Sequence, residues 1–144
     1  MVDQITDYLW ISDLVKDEEF DERVPEEVDK VVNLSGYQGD KADLWYPLID
    51  GSNDQKRFNG AVHNILKMIE KGETVLIHCA AGVSRSTGVG IAVMIEYEEL
   101  TFNEADKIMR EKRKQANPHP SINNHIKKYP YENTTVEGYD DRDN

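Results

Sequence analysis

One cysteine near the middle of the chain stands in surroundings that suit nucleophilic chemistry. Cys79 follows the β-branched run 74–78, and small residues lead from it to Arg85 and Ser86. The backbone N–H groups of a tight loop and of a helix N-terminus together form an anion-binding site. The same dipole, with a guanidinium nearby, favours the thiolate form of a cysteine. The pattern therefore predicts a thiolate at the base of a phosphate-sized cradle, aimed at phosphorus.

The residues between Cys79 and Arg85 fit this chemistry. Gly82 lets the backbone turn closely around an oxyanion, and Ala80 and Ala81 add little bulk. The planar guanidinium of Arg85 matches two phosphate oxygens at once. A cysteine taken alone is most often a small core residue. A core cysteine does not require glycine, serine and arginine at fixed distances after it, so the nucleophile is the favoured interpretation.

The composition excludes several classes of protein, including disulfide-rich and membrane-spanning proteins. The chain has 144 residues, enough for one domain with a core of its own, and a balance of apolar and charged residues typical of soluble domains. Its net charge of −11 disfavours attraction to nucleic acid or to an anionic membrane. A single cysteine excludes an intrachain disulfide and a multi-cysteine zinc site. We expect a cytoplasmic protein, without a secretory signal or a membrane-spanning segment.

The elements that must position the cysteine alternate between strands and helices. Short apolar or β-branched runs predict strands at 7–12, 28–34, 45–48 and 74–78. Helical spacing, an acidic stretch and a capping box predict helices at 13–22, 55–70, 86–100, 102–114 and 121–128. We predict a single-domain α/β fold over residues 1–132, with a central, mostly parallel, twisted sheet of about four to five strands and helices on both faces. The acidic segment 133–144 is predicted to be a disordered tail.

Two further groups of charged or polar residues receive ordinary structural interpretations. The basic run 110–114 is expected to be an exposed helix end, where positive charge is favourable. His119 and His125 lack cysteine or carboxylate partners at metal-ligand spacing. We therefore expect neither a metal nor another cofactor.

The sequence from His78 through Cys79 and Arg85 to Ser86 resembles the signature loop of the cysteine-based protein phosphatases, and it is most similar to the dual-specificity branch. The resemblance covers about residues 5–130. Outside the loop it includes the segments 7–11, 31–35, 45–50, 100–105 and 113–118. It implies a protein tyrosine phosphatase-like fold of the dual-specificity type.

The resemblance also implies a role for each residue of the loop. Cys79 attacks the phosphoester and becomes phosphocysteine, and Ser86 stabilises the thiolate as it leaves. His78 supports the loop. The substrate phosphate is held by the Arg85 side chain and by the backbone of Ala80, Ala81, Gly82, Val83, Ser84 and Arg85. No metal is implied, because these groups supply the charge stabilisation that a metal would give.

The resemblance favours Asp50 as the general acid. Asp50 lies 29 residues before Cys79, at the start of the polar segment 50–54. It would protonate the leaving alcohol and later activate water. Asp54 shares the segment and stays open as an alternative, although its position directly before a helix suits a cap.

The implied activity is that of a shallow-pocket dual-specificity protein phosphatase, which removes phosphate from tyrosine and from serine or threonine. Its expected partners are phosphorylated proteins, with no nucleic acid and no membrane. Two alternatives stay open. One is a phosphatase of non-protein phosphates, such as phosphoinositides or RNA 5′ ends, although residues 80–84 include no basic side chain. The other is a non-catalytic module that binds phosphorylated residues, although Cys79 and Arg85 are both present.

Overall fold

The structure, a computed structural model, describes residues 1–131. Five strands form one sheet in the order β1-β2-β5-β3-β4. The strands are Val2–Gln4 (β1), Leu9–Ser12 (β2), Lys30–Asn33 (β3), Leu44–Trp45 (β4) and Val75–His78 (β5). Among these five strands, β1 pairs antiparallel with its neighbour, and the other three pairings are parallel. The mostly parallel sheet is therefore confirmed, while the predicted tail at 133–144 lies outside the described residues.

Strand β5, which leads into Cys79, occupies the centre of the sheet. Ile77 is paired with Ile11 of β2 on one side and with Val32 of β3 on the other. All four residues of β5 are buried, which explains why it is a short apolar run without alternation. The cysteine therefore emerges from the most constrained strand of the fold.

The helices divide unequally between the two faces of the sheet. They are α1 (Phe20–Arg23), α2 (Gln55–Glu70), α3 (Arg85–Glu98), α4 (Phe102–Lys112) and α5 (Pro120–Lys128). Helices α2 and α3 pack on the face that bears Leu9 and Ile11. Ser12 points to the opposite face, where its hydroxyl accepts a hydrogen bond from Arg23 of α1 at 2.9 Å. Helices lie on both faces, as predicted, but the four longer ones share one layer.

Helix α3 lies at the middle of that layer because two glycines let its neighbours approach closely. A Cβ at Gly88 would overlap Ile122 of α5, and one at Gly90 would come within 2.8 Å of Met109 of α4. The capping box predicted at the start of α4 is confirmed, with the Thr101 and Glu104 side chains each accepting from the other residue's backbone N–H. Within residues 1–131, no helix combines the length and the apolar character that crossing a membrane requires.

The structure differs from the predicted elements in three places. Strand β1 was not predicted; it is short and half-exposed, with no buried apolar face to reveal it. The predicted strand at 45–48 shrinks to Leu44–Trp45, because Pro47 cannot donate to a ladder. The predicted helix at 13–22 consists of a 3₁₀ turn, Asp17–Glu19, followed by the four-residue α1.

Candidate active site

Cys79 lies at the carboxyl end of β5, where it lines a cavity of about 560 Å³. The residue is only 1% exposed, so a substrate has to reach it through that cavity. Its Sγ lies 3.3 Å from the Oγ of Ser86, which is fully buried in the first turn of α3. A hydroxyl in this position can donate a hydrogen bond to an anionic sulfur, and such charge-assisted bonds are the stronger ones.

Residues 79–85 form a tight turn around the sulfur, called the phosphate loop below. Its carbonyl groups accept hydrogen bonds from the surrounding protein: Ala80 O from Leu14 N at 3.1 Å, Gly82 O from Arg113 Nε at 2.7 Å and Val83 O from Asn117 N at 2.7 Å. The N–H of a trans peptide points opposite to its C=O. Outward carbonyls therefore leave the next N–H groups facing the inside of the turn. None of the N–H groups of residues 80–84 donates to an acceptor within residues 1–131.

Gly82 is required where the phosphate loop passes closest to β2. Its φ is +67°, a left-handed conformation that favours glycine. A Cβ at this position would also lie 2.8 Å from the amide nitrogen of Asp13 and 2.8 Å from the carbonyl carbon of Ser12. The positive φ and the close approach to β2 show why a glycine stands here, and its predicted role in a turn around an oxyanion stays a prediction.

Arg113 corrects the prediction that the whole run 110–114 is an exposed helix end. Helix α4 stops at Lys112, and Arg113 turns into extended geometry with only 1% of its surface exposed. Its Nε donates to Gly82 O, and its Nη1 donates to Asp3 Oδ2 at 2.8 Å and to Met1 O at 3.1 Å. The carboxylate of Asp3 pairs with the buried guanidinium, which makes the burial tolerable. Arg113 thus ties the phosphate loop to β1.

Arg85 occupies the first position of α3 and lines the same cavity as Cys79. Its Nη1 donates to the carbonyl of Leu48 at 2.9 Å, which fixes the side chain against the end of the 44–48 segment. The guanidinium is half-buried and retains further N–H donors for an oxyanion. The structure therefore brings Arg85 and Cys79 to one site.

The two aspartates considered for the general acid lie in different places. Asp50 lines the cavity that contains Cys79, and its Oδ1 accepts a hydrogen bond from the Ser84 hydroxyl at 2.8 Å. Asp54 is the N-cap of α2, accepting from Arg57 N at 3.0 Å, and it lines a separate cavity of about 110 Å³. The predicted capping role of Asp54 is confirmed, and of the two aspartates it is Asp50 that shares a cavity with Cys79.

One wall of the cavity was not predicted from the sequence. It consists of Asn117, Pro118, His119, Pro120 and Asn123, at and just before the start of α5. The backbone N–H of His119 donates to the Ser84 hydroxyl at 2.8 Å, so this wall is joined to the phosphate loop. The family resemblance includes the segment 113–118. No pattern within that segment, however, indicates that it lies beside Cys79 in the folded protein.

His78 is buried beneath the phosphate loop on the face of the sheet that carries Ser12. The pKa of His78 is lowered to about 4, first by burial and then by the nearby Arg23 cation, against the opposing effect of Asp13. Its Nδ1 has no hydrogen-bond partner among the described residues. The imidazole is therefore neutral near pH 7, and its predicted support of the loop stays a prediction.

No cluster of three or more histidine, cysteine, aspartate or glutamate side chains in residues 1–131 is arranged to hold a metal ion. The charged and polar groups around Cys79 include the guanidinium of Arg85, the carboxylate of Asp50 and the backbone N–H groups of the phosphate loop. Such a set is suited to holding a phosphoryl group and transferring a proton.

The fold and site belong to a known class. Residues 21–132 match the family described as "Dual specificity phosphatase, catalytic domain". The chain is therefore a member of the dual-specificity phosphatase catalytic-domain family, which confirms the resemblance noted in the sequence.

Among its relatives, the chain is 33% identical over 89 residues to the MAP kinase phosphatase with leucine-rich repeats protein 3 of Dictyostelium discoideum, covering 58% of this chain and 10% of that protein. It is 32% identical over 80 residues to the dual specificity protein phosphatase 15 of Rattus norvegicus, covering 56% of this chain and 34% of that protein. The matches thus span about a third or less of these relatives.

Solved structures resemble nearly the whole described fold. The crystal structure of Tk-PTP in the active form has a TM-score of 0.73 at 26% identity, covering 88% of this chain and 93% of that one. The crystal structure of human DUSP28 has a TM-score of 0.73 at 19% identity, covering 89% of this chain and 91% of that one. At 19% identity, the likeness to human DUSP28 shows a shared fold alone.

Proposed function

We propose that this chain is the catalytic domain of a cysteine-dependent protein phosphatase that hydrolyses phosphotyrosine and phosphoserine or phosphothreonine through a phosphocysteine intermediate. The observation that carries the proposal is the orientation of the phosphate loop. Its carbonyls bond outward to the protein, which leaves a set of N–H groups around Cys79 without acceptors in residues 1–131, beside the Arg85 guanidinium. Such a preorganised set stabilises charge that develops on phosphate oxygens.

In the first step, the Cys79 thiolate attacks phosphorus. The S–P bond forms as the ester O–P bond breaks, and the leaving oxygen takes a proton from the carboxyl group of Asp50. Meanwhile the N–H groups of residues 80–85 and the Arg85 fork hold the three other phosphate oxygens. Asp50 is suitably placed because it lines the same cavity and is hydrogen-bonded to Ser84 of the loop.

In the second step, water attacks the phosphocysteine. The Asp50 carboxylate accepts a proton from that water, the S–P bond breaks, and the sulfur leaves as a thiolate. The hydroxyl of Ser86, 3.3 Å from Sγ, donates a hydrogen bond to the departing anion. Inorganic phosphate is released, and both Cys79 and Asp50 return to their starting protonation states.

The lining of the cavity supports a phosphorylated protein as substrate. Among its described lining residues, none is phenylalanine, tyrosine or tryptophan, so no such ring selects phosphotyrosine by stacking. Arg85 is the sole arginine or lysine of this set, and Asp50 carries the opposite charge. One strong cation suits a single phosphate monoester better than a phosphoinositide or an RNA 5′ end, which carry more charge.

Phosphorylated proteins are thus the proposed partners of the site, and a cytoplasmic location belongs to the same proposal, because a nucleophilic thiol has to stay reduced. A non-catalytic binding module is the less favoured candidate. Binding alone does not require the hydroxyl of Ser86 beside Cys79 or the carboxylate of Asp50 in the cavity wall.

The experiment that tests the proposal compares phosphate release from several substrate classes. Peptides with phosphotyrosine, phosphoserine or phosphothreonine are offered beside inositol phospholipids and 5′-triphosphorylated RNA. We expect release from both kinds of phosphopeptide, and a loss of roughly 10⁴-fold or more in the Cys79→Ser variant. Release mainly from lipid or RNA, or tight phosphopeptide binding without turnover, would contradict the proposal.

A matched pair of variants separates the two aspartates. Asp50→Asn should lower kcat/KM by about 10²-fold, the lower range for a general acid. Asp54→Asn should retain kcat/KM within about twofold, because asparagine caps a helix as well as aspartate does. The reverse result would assign the acid to Asp54.

A further inference from the structure

The segment 50–54, called the acid loop below, places Asp50 in the cavity lining, where the Asp50 side chain is bonded to Ser84. Within the loop and its immediate flanks, its hydrogen bonds are short-range turns, such as Ser52 N to Ile49 O at 3.2 Å. Within the described residues 1–131, two bonds connect its backbone to a distant part of the sequence, and both lead to α5. Gly51 N donates to Ser121 Oγ at 2.8 Å, and Ser52 O lies 2.9 Å from His125 Nε2.

Two backbone carbonyls, of Ser52 and of His125 itself, fix the hydrogen-bond donors near the His125 ring. Ser52 O can only accept, so Nε2 of His125 is a donor. The side-chain Nε2 of Gln55 lies 2.9 Å from His125 O, which also can only accept, so this end of the amide is its NH₂ group. The side-chain amide of Gln55 also lies 2.8 Å from His125 Nδ1, so both ring nitrogens are held by neighbouring groups.

His125 is held in place from several sides. It is 7% exposed, and its ring stacks on Phe58 of α2 with centroids 5.4 Å apart. Asp54 and Arg57, of opposite charge, line the same small cavity as His125 beneath the acid loop. A ring so constrained is a firm anchor for Ser52, unlike a solvent-exposed side chain.

We propose that Ser121 and His125 are positioning residues that clamp the acid loop onto α5 and so hold Asp50 at the catalytic cavity. The inference rests on the role given to Asp50 in the proposed function. A proton donor acts efficiently only within hydrogen-bond reach of the leaving oxygen, and small displacements of a catalytic group are costly. The clamp acts on the two residues that follow Asp50, and it adds no group to the reacting centre.

The clamp is tested with variants that preserve packing. His125→Phe retains a ring against Phe58 but removes both ring nitrogens, including the one that bonds Ser52 O, and Ser121→Ala removes the acceptor of the Gly51 N–H. Ser121→Thr keeps that acceptor and should restore wild-type behaviour. Asn124→Ala, at an exposed position of the same helix, is the matched control.

The first readout, amide hydrogen exchange at Gly51 followed by NMR, does not depend on activity. We expect exchange at Gly51 to accelerate by about tenfold in His125→Phe and in Ser121→Ala, because local opening governs exchange. Asn124→Ala should leave the rate unchanged. Unaltered exchange in both clamp variants would overturn the clamp, even if the phosphatase activity is as proposed or absent.

The second readout is kcat/KM for two aryl phosphates, which reports the transfer of phosphate to Cys79. Phenyl phosphate has a poor leaving group that needs a proton, and p-nitrophenyl phosphate has a good one that hardly does. His125→Phe should lower kcat/KM by about tenfold for phenyl phosphate and by less than about threefold for p-nitrophenyl phosphate. In an Asp50→Asn background the same change should have no further effect.

Equal losses with both substrates, or a full additional loss in the Asp50→Asn background, would overturn the positioning role. Failure of the proposed function has a different signature. It would appear as wild-type protein that releases no phosphate, or as Cys79→Ser protein with undiminished activity, whatever the exchange rate at Gly51.

Discussion

The two loops that meet at the cavity are held in contrasting ways. The phosphate loop is fixed through its own backbone: its carbonyls bond to Leu14, Asn117 and the buried Arg113, and it begins at the most enclosed strand of the sheet. The acid loop is exposed over most of its length, and its long-range backbone bonds go to two side chains of α5.

The difference agrees with the two chemical tasks that the proposed mechanism assigns to the loops. Stabilising charge on a phosphoryl group requires donors whose geometry is set before substrate arrives, and backbone groups bonded into a core meet that need. A proton donor has to approach oxygens of different leaving groups, so it can sit on a loop whose position is adjusted by a few side chains. Substitutions in the phosphate loop should therefore lower kcat/KM for every substrate. Substitutions in the acid loop should lower it by an amount that depends on the leaving group of the substrate.

Among the variants that compare the two loops, the largest effect is expected at the guanidinium of Arg85. Arg85→Lys keeps the positive charge but loses the paired donors, including one that bonds Leu48. We expect kcat/KM to fall by about 10³-fold for good and poor leaving groups alike. Steady-state assays with the two aryl phosphates check this result. If kcat/KM fell only for phenyl phosphate, which has the poor leaving group, the phosphate loop and the acid loop would not differ as proposed.

A second prediction concerns the buried imidazole beneath the phosphate loop. The pKa of His78 is lowered from 6.5 to about 4 in the folded protein. As the pH falls from 6.5 towards 4, the unfolded chain binds a proton there and the folded chain does not, so stability is lost across that window, by roughly 3 kcal/mol at most.

Urea unfolding of the wild type and of His78→Gln at pH 7 and at pH 4 measures this contribution. The difference in unfolding free energy between the two proteins should change by that amount between pH 7 and pH 4. The other titrating groups are the same in both proteins, so their contributions cancel. Parallel pH dependences would show that His78 is not the neutral, buried group described here.

The smallest of these effects compares one glycine from each loop. Gly82→Ala should lower kcat/KM by about 10²-fold, because its Cβ would overlap backbone atoms of Ser12 and Asp13. Gly51 also has a positive φ, +89°, but a Cβ there meets nothing within 4 Å. In Gly51→Ala the added Cβ therefore causes backbone strain alone, and we expect kcat/KM to fall by less than about tenfold.

Gly36→Ala, at an open position with ordinary backbone, is the control for both glycine variants and should be silent. Aryl phosphate kinetics and thermal unfolding measure all three. Equal losses at Gly82 and Gly51 would mean that the phosphate loop is no more constrained than the acid loop.

The same contrast explains what could be predicted from the sequence. The phosphate loop is a contiguous motif between a buried strand and a helix, so Cys79 and Arg85 could be recognised, and the structure brings them together. The capping box at Thr101 and the buried strand β5 are likewise local signals. Patterns within a few residues therefore predicted the fold class and the motif at the centre of the site.

Features that depend on distant contacts could not be predicted. In the sequence, Arg113 is one more cation of a basic run, and only folding places it under Gly82 and beside Asp3. His125 shows no metal-ligand spacing, and its contact with Ser52 joins residues 73 positions apart. Such partners are fixed by packing of whole elements, which leaves no local signature.

The most direct test of the account is whether Cys79 carries the phosphoryl group during turnover. Protein mixed with a phosphotyrosine peptide is quenched rapidly in denaturant, digested and examined by mass spectrometry. We expect one phosphoryl group on the peptide that contains Cys79, and none in the Cys79→Ser variant. Phosphate release without any covalent phosphate on Cys79, or with the variant as active as the wild type, would contradict it.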